Sequence, residues 1–298
     1  MRELQDWQLE VGDVLMGADT DILVSNIDGI GSPEMRTQDV EDPAGDGAFP
    51  GTDRYGPRTL RIEAGIRTPG RPAAALDLLA QLEQAVDTPA VRTTPGETAV
   101  LRIRWPGRET RRLYGRLRRV EATSTSHVLS GWIPLDIQFV ALDPTFHDDT
   151  TRSITLPLDI SGDKGGFRAP LVAPMTTGIA TPADRPGWAT NDGNRPACPA
   201  LRITGPVSNP KITIGDTGRT LTLSTSLGPT ETLDISTRPG TRWVLRNGAG
   251  NAAPDLHSSS RLDLFSLPPG RSEIRWTASD YTNTSRLQVT WQSAWAAL

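Results

Sequence analysis

The sequence predicts a mainly β protein built as two sandwiches, the first carrying one helix. Three observations lead there. Glycine and proline supply 28 and 25 of the 298 residues, a share that breaks long helices and favours turns. Apolar residues recur with period two along much of the chain. Turn-forming clusters separate these runs at intervals of roughly ten residues, as in sandwiches and jelly rolls.

The elements follow in chain order. Pro72 to Asp87 is rich in helix formers, with Leu76, Leu79, Leu82 and Val86 at three- to four-residue spacing and Pro72 suited to a first turn. One amphipathic helix packed on the first sandwich is expected. Leu101, Ile103 and Trp105 alternate with Arg102 and Arg104, so apolar and arginine side chains take opposite strand faces. The run Ile133, Leu135, Ile137, Phe139 and Ala141 is longer and stops at Asp143-Pro144. In the second half the pattern returns at Leu201/Ile203, Ile212/Ile214, Leu221/Leu223, Leu233/Ile235, Trp243/Leu245, Leu262/Leu264, Ile274/Trp276 and Leu287/Val289/Trp291. Trp243, Trp276 and Trp291 are therefore expected inside. The Pro/Gly-rich tract from Pro170 to Pro199 has no periodicity and reads as a long loop. Within it Trp188 has no periodic partner; it either anchors the loop or offers its ring to a glycan.

Charge marks the organisation. Residues 1–150 carry a net −8 and residues 151–298 a net +4. With the end of the long alternating run, this places the boundary between domains 1–148 and 149–298. Within the first domain, residues 1–60 hold 13 acids against four arginines, while residues 101–120 hold eight arginines against Glu109 alone. Arg102, Arg104, Arg112, Arg116 and Arg118 form an arginine-rich strand surface, and Asp39, Glu41, Asp42, Asp46 and Asp53 crowd one loop. Opposite blocks in one domain are candidate complementary surfaces between subunits.

The residues offer little to catalysis. His127, His147 and His257 fall in no metal-binding frame, and Phe146-His147-Asp148-Asp149 reads as a domain-exit turn. No nucleophile elbow, phosphate loop or dinucleotide fingerprint is present. We therefore expect no catalytic, cofactor-binding or metal-binding residues. The lone cysteine, Cys198, makes no intrachain disulfide. No apolar run reaches membrane-spanning length, and the first residues lack a signal-peptide core, so synthesis in a cytoplasm without a membrane span is expected. A net charge of −4 and two lysines against 29 arginines argue against specific nucleic-acid binding.

Several ordered segments resemble one family. Asp28-Gly-Ile-Gly-Ser-Pro-Glu34 and Asp46-Gly-Ala-Phe-Pro-Gly-Thr-Asp-Arg-Tyr-Gly-Pro-Arg-Thr-Leu-Arg-Ile62 resemble early strands of the phage distal tail (Dit) proteins, or siphovirus tail components. Ile137-Gln-Phe-Val-Ala-Leu-Asp-Pro-Thr-Phe146 is similar to the family's domain-ending segment. Asn191-Asp-Gly-Asn-Arg-Pro-Ala-Cys-Pro-Ala-Leu-Arg-Ile-Thr-Gly205 with Asn209-Pro210 is similar to its entry into the second domain. The resemblance implies an N-terminal ring-forming sandwich and a C-terminal galectin-like one. It further implies a homo-hexameric ring at the virion tail tip, with a channel for DNA. Implied partners are the tail tube protein, the central spike or tail-associated lysin, and receptor-binding proteins or host glycans. The alternative is a carbohydrate-binding adhesin acting through the second sandwich.

Overall fold

The computed structural model describes residues 2–158, 187–281 and 284–298. Most of the tract from Pro170 to Pro199 lies outside them. The chain divides into two units, Met1–Asp149 with Trp295–Leu298, and Thr150–Ala294.

The first unit begins with β1 (Gln8–Val11), β2 (Val14–Gly17) and β3 (Ile22–Asp28). A ribbon follows, made of β4 (Met35–Arg36), β5 (Val40–Glu41), β6 (Ala48–Phe49) and β7 (Arg54–Tyr55), in which β4 pairs with β7 and β5 with β6. Then come β8 (Arg58–Arg67), α1 (Pro72–Val86), α2 (Pro89–Arg92), β9 (Ala99–Arg104), β10 (Arg111–Ala122), β11 (Trp132–Ala141) and β12 (Phe146–Asp148). The sheet order is β2-β1-β9-β10-β11-β8-β3, with β12 added beside β10. Its end strands, β2 and β3, come together, so the sheet curls around one core. The alternation read from the sequence sets the register: Leu101 lies opposite Leu113, and Ile137 opposite Ile62, all buried.

Helix α1 packs on the inside of this curl, against β8, β10, β11 and β2. Pro72 starts it, and Thr88 before Pro89 ends it, because a residue preceding proline is pushed out of the helical region. Its inner face differs by a third of a turn from the expected one. Ala75 and Leu82 are fully buried and Leu78, Leu79 and Val86 pack on the core, but Leu76 is 49% exposed. A run this rich in leucine supports two overlapping stripes, and the small Ala75 lets the helix approach the sheet more closely.

In the second unit the strands are β13 (Arg152–Pro157), β14 (Trp188–Asn191), β15 (Ala200–Thr204), β16 (Val207–Ser208), β17 (Lys211–Ile214), β18 (Thr220–Thr222) and β19 (Ser226–Leu227). They continue with β20 (Thr232–Ser236), β21 (Trp243–Arg246), β22 (Gly250–Asn251), β23 (Gly270–Thr277), β24 (Asp280–Tyr281) and β25 (Arg286–Trp291). A sheet of order β13-β25-β15-β20-β21-β22 packs on one of order β14-β23-β17-β18. Leu201, Ile203, Leu233, Ile235, Leu287 and Val289 meet Ile212, Ile214, Leu221, Ile274 and Trp276 in the core. Two buried indoles tie the layers: Trp276 Nε1 donates to the Pro157 carbonyl at 2.7 Å, and Trp291 Nε1 to that of Thr190 at 2.9 Å. Trp243, expected inside, is 39% exposed. It lies on β21, where Val244 takes the inward position. Leu262 and Leu264 lie in turns and not in a strand, since two apolar residues cannot specify a strand without a pairing neighbour.

The Asn191-Asp-Gly193 turn is explained by its bonds. Buried Asn191 donates through Nδ2 to the carbonyls of Arg195 and Leu267, while its Oδ1 accepts from the Gly193 and Ala294 amides. A Cβ on residue 193 would lie 1.8 Å from the Ala294 carbonyl oxygen, so only glycine fits.

The sequence carried the second domain to residue 298, but Trp295–Leu298 belong to the first unit. Trp295 stacks under the Arg111 guanidinium, 4.3 Å from its ring centroid, and donates to Asp148 Oδ1 at 2.8 Å. Nothing in the period-two pattern encodes that return. Asn191→Ala leaves several buried groups unpaired and is expected to cost the second unit at least about 3 kcal/mol. Trp295→Ala removes a half-buried ring and is expected to cost the first unit about 2 kcal/mol, less than a fully buried one. Hydrogen exchange read segment by segment checks both, each loss of protection being confined to its own unit.

Candidate assembly surface

Two features of the first unit bear on the predicted interface: the outward face of the sheet and the ribbon β4–β7. On the outward face, the inward alternation of Leu101 and Leu113 turns Arg102 and Arg112 toward β12 and the residues that end the unit. Arg102 is 5% exposed. Its Nε donates to Asp149 Oδ1 at 2.9 Å and Nη2 to Oδ2 at 2.6 Å, while Nη1 contacts Glu10 on β1. Arg112 Nε reaches the same Asp149 Oδ1 at 2.5 Å. Burial pushes the Asp149 carboxyl upward, but the bonds from Arg102 and Arg112 outweigh it and hold the group below the usual carboxylate range. The bond to Asp149 raises Arg102 in turn.

A second buried pair lies alongside. His147 Nε2 and Asp143 Oδ2 are 2.9 Å apart, and the Tyr114 ring meets His147 edge-on. Burial raises Asp143, and the His147 bond and the Thr145 amide bring it below the ordinary range. The segment expected to be a plain exit turn is therefore a short strand that carries the partners of the arginine surface. A single chain read for spacing shows no link between Asp149 and Arg102, because they are 47 residues apart.

The other predicted arginines differ in how far they are engaged. Arg104 donates to Asp6 Oδ1 at 3.1 Å and to the Leu4 carbonyl. Arg116 donates to the carbonyls of Thr94 and Glu97. Arg118 is exposed at a bulge in β10 and has no side-chain partner among the described residues. Beside this face opens a cleft of about 350 Å³, lined among others by Val11, Ala85, Val91, Val100, Arg102 and Arg112.

The predicted acids all lie on or beside the ribbon. Asp39 and Asp42 hold its turns, accepting from the Gly51 and Ala44 amides. Glu41, Asp46 and Asp53 are exposed. The structure does not bring these acids together with the arginine surface within one chain. It also shows what charge counting missed: Met35, Val40, Phe49 and Tyr55 are exposed along the same ribbon, Phe49 by 59% and Val40 by 64%. Buried Arg58 anchors the ribbon's root through the carbonyls of Gly29, Ile30 and Gly31, and also reaches Pro144 and Ala296.

Trp188, the predicted glycan contact, is half-buried in β14, and the Arg271 guanidinium lies over its ring at 4.3 Å. Among the described residues no group of three or more His, Cys, Asp and Glu is placed to hold a metal, and no helix is long and apolar enough to cross a membrane.

Asp149 is charged and stabilising above its unfolded value of about 3.9, and that contribution is lost as pH falls through its lower folded value. Asp149→Asn is expected to destabilise the first unit by about 3 kcal/mol at pH 7, the cost of breaking a buried pair. The difference from the parent protein should shrink below about pH 4. Denaturant midpoints measured from pH 7 down to pH 3 check this.

Comparison with known proteins gives a family match over part of the chain and a shared fold over nearly all of it. Residues 192–295 match the family model described as the siphovirus-type tail component, C-terminal domain. No curated protein matches the sequence. The SPP1 Dit (gp 19.1) protein, described as a paradigm of the hub adsorption apparatus in phages infecting Gram-positive bacteria, is 13% identical. That match has a TM-score of 0.57 over 96% of this chain and 98% of that one. Chains of the phage p2 baseplate in its activated conformation, with Ca and with Sr, match at 10% identity and a TM-score of 0.53 over 95% of this chain and 96% of theirs. Residues 192–295 of the second unit are thus similar to the C-terminal domain of the siphovirus-type tail components, and the chain as a whole shares the fold of SPP1 Dit.

Proposed function

We propose that this protein is a structural hub of a long-tailed phage, a homo-hexameric ring at the tail tip. The ring joins the tail tube to the central spike or lysin protein, carries receptor-binding parts, and leaves a channel through which DNA passes. The family match in the second unit and the Dit fold of the whole chain support the reading. The observation that carries it is the ribbon β4–β7. An isolated two-stranded ribbon is marginal in water, and this one exposes four large apolar side chains and places Arg36 directly opposite Arg54. It is built to be covered.

A ring closes by heterologous contacts, one surface of each copy meeting a different surface of the next. In this reading, the ribbon of one copy lies over the outward sheet face of its neighbour. Phe49 and Val40 enter the cleft lined by Val91 and Val100, and Glu41 and Asp46 face Arg116 and Arg118. Arg102 and Arg112 line that surface but are engaged by Asp149. They shape it without being available as forks for the neighbour. Exposed ion pairs contribute only ~0–1 kcal/mol each, so apolar burial drives closure and charge sets the register.

Native mass measurement with negative-stain imaging is expected to show six-fold rings. Phe49→Ser should leave a folded protein of lower order. Arg118→Glu should weaken assembly severalfold, and adding Glu41→Arg with Asp46→Arg should partly restore it. A parent protein that stays monomeric at every concentration, or rings indifferent to Phe49→Ser, would overturn this arrangement.

A further inference from the structure

The second unit carries a groove that the hub role does not use. It lies at the β18 edge of the β14-β23-β17-β18 sheet, has a volume of about 320 Å³, and is lined by Lys211, Gly218, Arg219, Thr220, Thr222, Ser259 and Arg261. The register explains the lining. Ile212, Ile214 and Leu221 point into the core, so Lys211, Thr220 and Thr222 share the outward face, with Lys211 opposite Thr222. The 255–260 segment is held against β18: the His257 amide donates to the Thr222 carbonyl, and the Thr222 amide to Ser260 Oγ. Ser259 and Arg261 are thereby brought to the other side of the groove.

Three cations and three hydroxyls meet here. Arg261 is held in a two-bond fork by Asp263. Lys211 and Arg219 are exposed and have no side-chain partner among the described residues. Lys211 is one of two lysines in a chain of 29 arginines. Residues 151–298 carry a net +4, so the surrounding field also favours an anion.

We propose that this groove binds an anionic polysaccharide, gripping its phosphate or carboxylate groups through Lys211 and Arg219 and its hydroxyls through Thr220, Thr222 and Ser259. Ammonium and guanidinium groups make charge-assisted bonds to such oxygens, and hydroxyl side chains both donate to and accept from sugar hydroxyls. A docked protein is the weaker fit, because protein interfaces centre on aromatic and apolar side chains and the groove's lining has none. The register points to an extended ligand. Thr213 and Thr277, then Arg275 with Glu273, then Arg271 over Trp188 continue the same outward face across the remaining strands. Four strands at about 4.8 Å spacing make a track of about 14 Å. The proposal is independent of ring formation.

The test is titration calorimetry of the full-length protein with poly(glycerol phosphate), with oligogalacturonate and with neutral dextran. Binding of either anionic polymer in preference to dextran, weakening as salt rises from about 50 to 300 mM, is expected. Lys211→Ser with Arg219→Ser should weaken it at least tenfold, and Thr220→Val with Thr222→Val severalfold, with hydrogen exchange of the second unit unchanged. Which polymer binds separates the phosphate from the carboxylate source. Binding of neither, binding equal to that of dextran, or affinity untouched by the Lys211/Arg219 pair overturns the proposal.

Discussion

The first unit depends on buried arginines that find their counter-charges on distant strands. An arginine facing away from an apolar core ordinarily reaches water, but Arg102 is covered by β12 and the residues leaving it. Asp149 and Glu10 then satisfy a group that cannot be deprotonated. Because breaking such a pair costs more than the pair itself contributes, the network constrains geometry more than it adds stability. It sets where β1, β9 and β10 stand relative to the unit's last residue. Arg58 does similar work at the other end, holding the ribbon's root, the Asp143-Pro144 corner and the C-terminal return with one guanidinium.

That constraint separates what is rigid from what is offered outward. The curled sheet buries most of its apolar residues and the helix one face, whereas the ribbon that leaves the sheet at Gly29–Gly31 buries nearly none. Its acids serve two ends: Asp39 and Asp42 shape turns, and Glu41, Asp46 and Asp53 face solvent. In the ring proposed above, a ribbon with a firm root and an uncovered tip would find its place on another copy without reshaping the body it grows from.

The second unit is held differently. Its two sheets share a wide apolar core, and Asn191 is the buried polar group that uses all of its side-chain bonds to tie backbone segments together. On the outward face of the second sheet, the β17–β18 edge collects cations and hydroxyls.

The sequence by itself determined most of the long strands, because a side-chain period of two is a local property that any buried face imprints on its own segment. It also determined the helix, since proline and leucine spacing are local. What only the tertiary structure decided is pairing at long range. The outward arginines looked available, yet Arg102 and Arg112 turned out to be bound by Asp149. The stripe of α1 shifted from Leu76 to Ala75, and Trp243 went outward. Trp295 returned to the first unit. These depend on which surfaces meet in space, and the free energy of a buried charge or ring is a property of that meeting, absent from spacing along the chain.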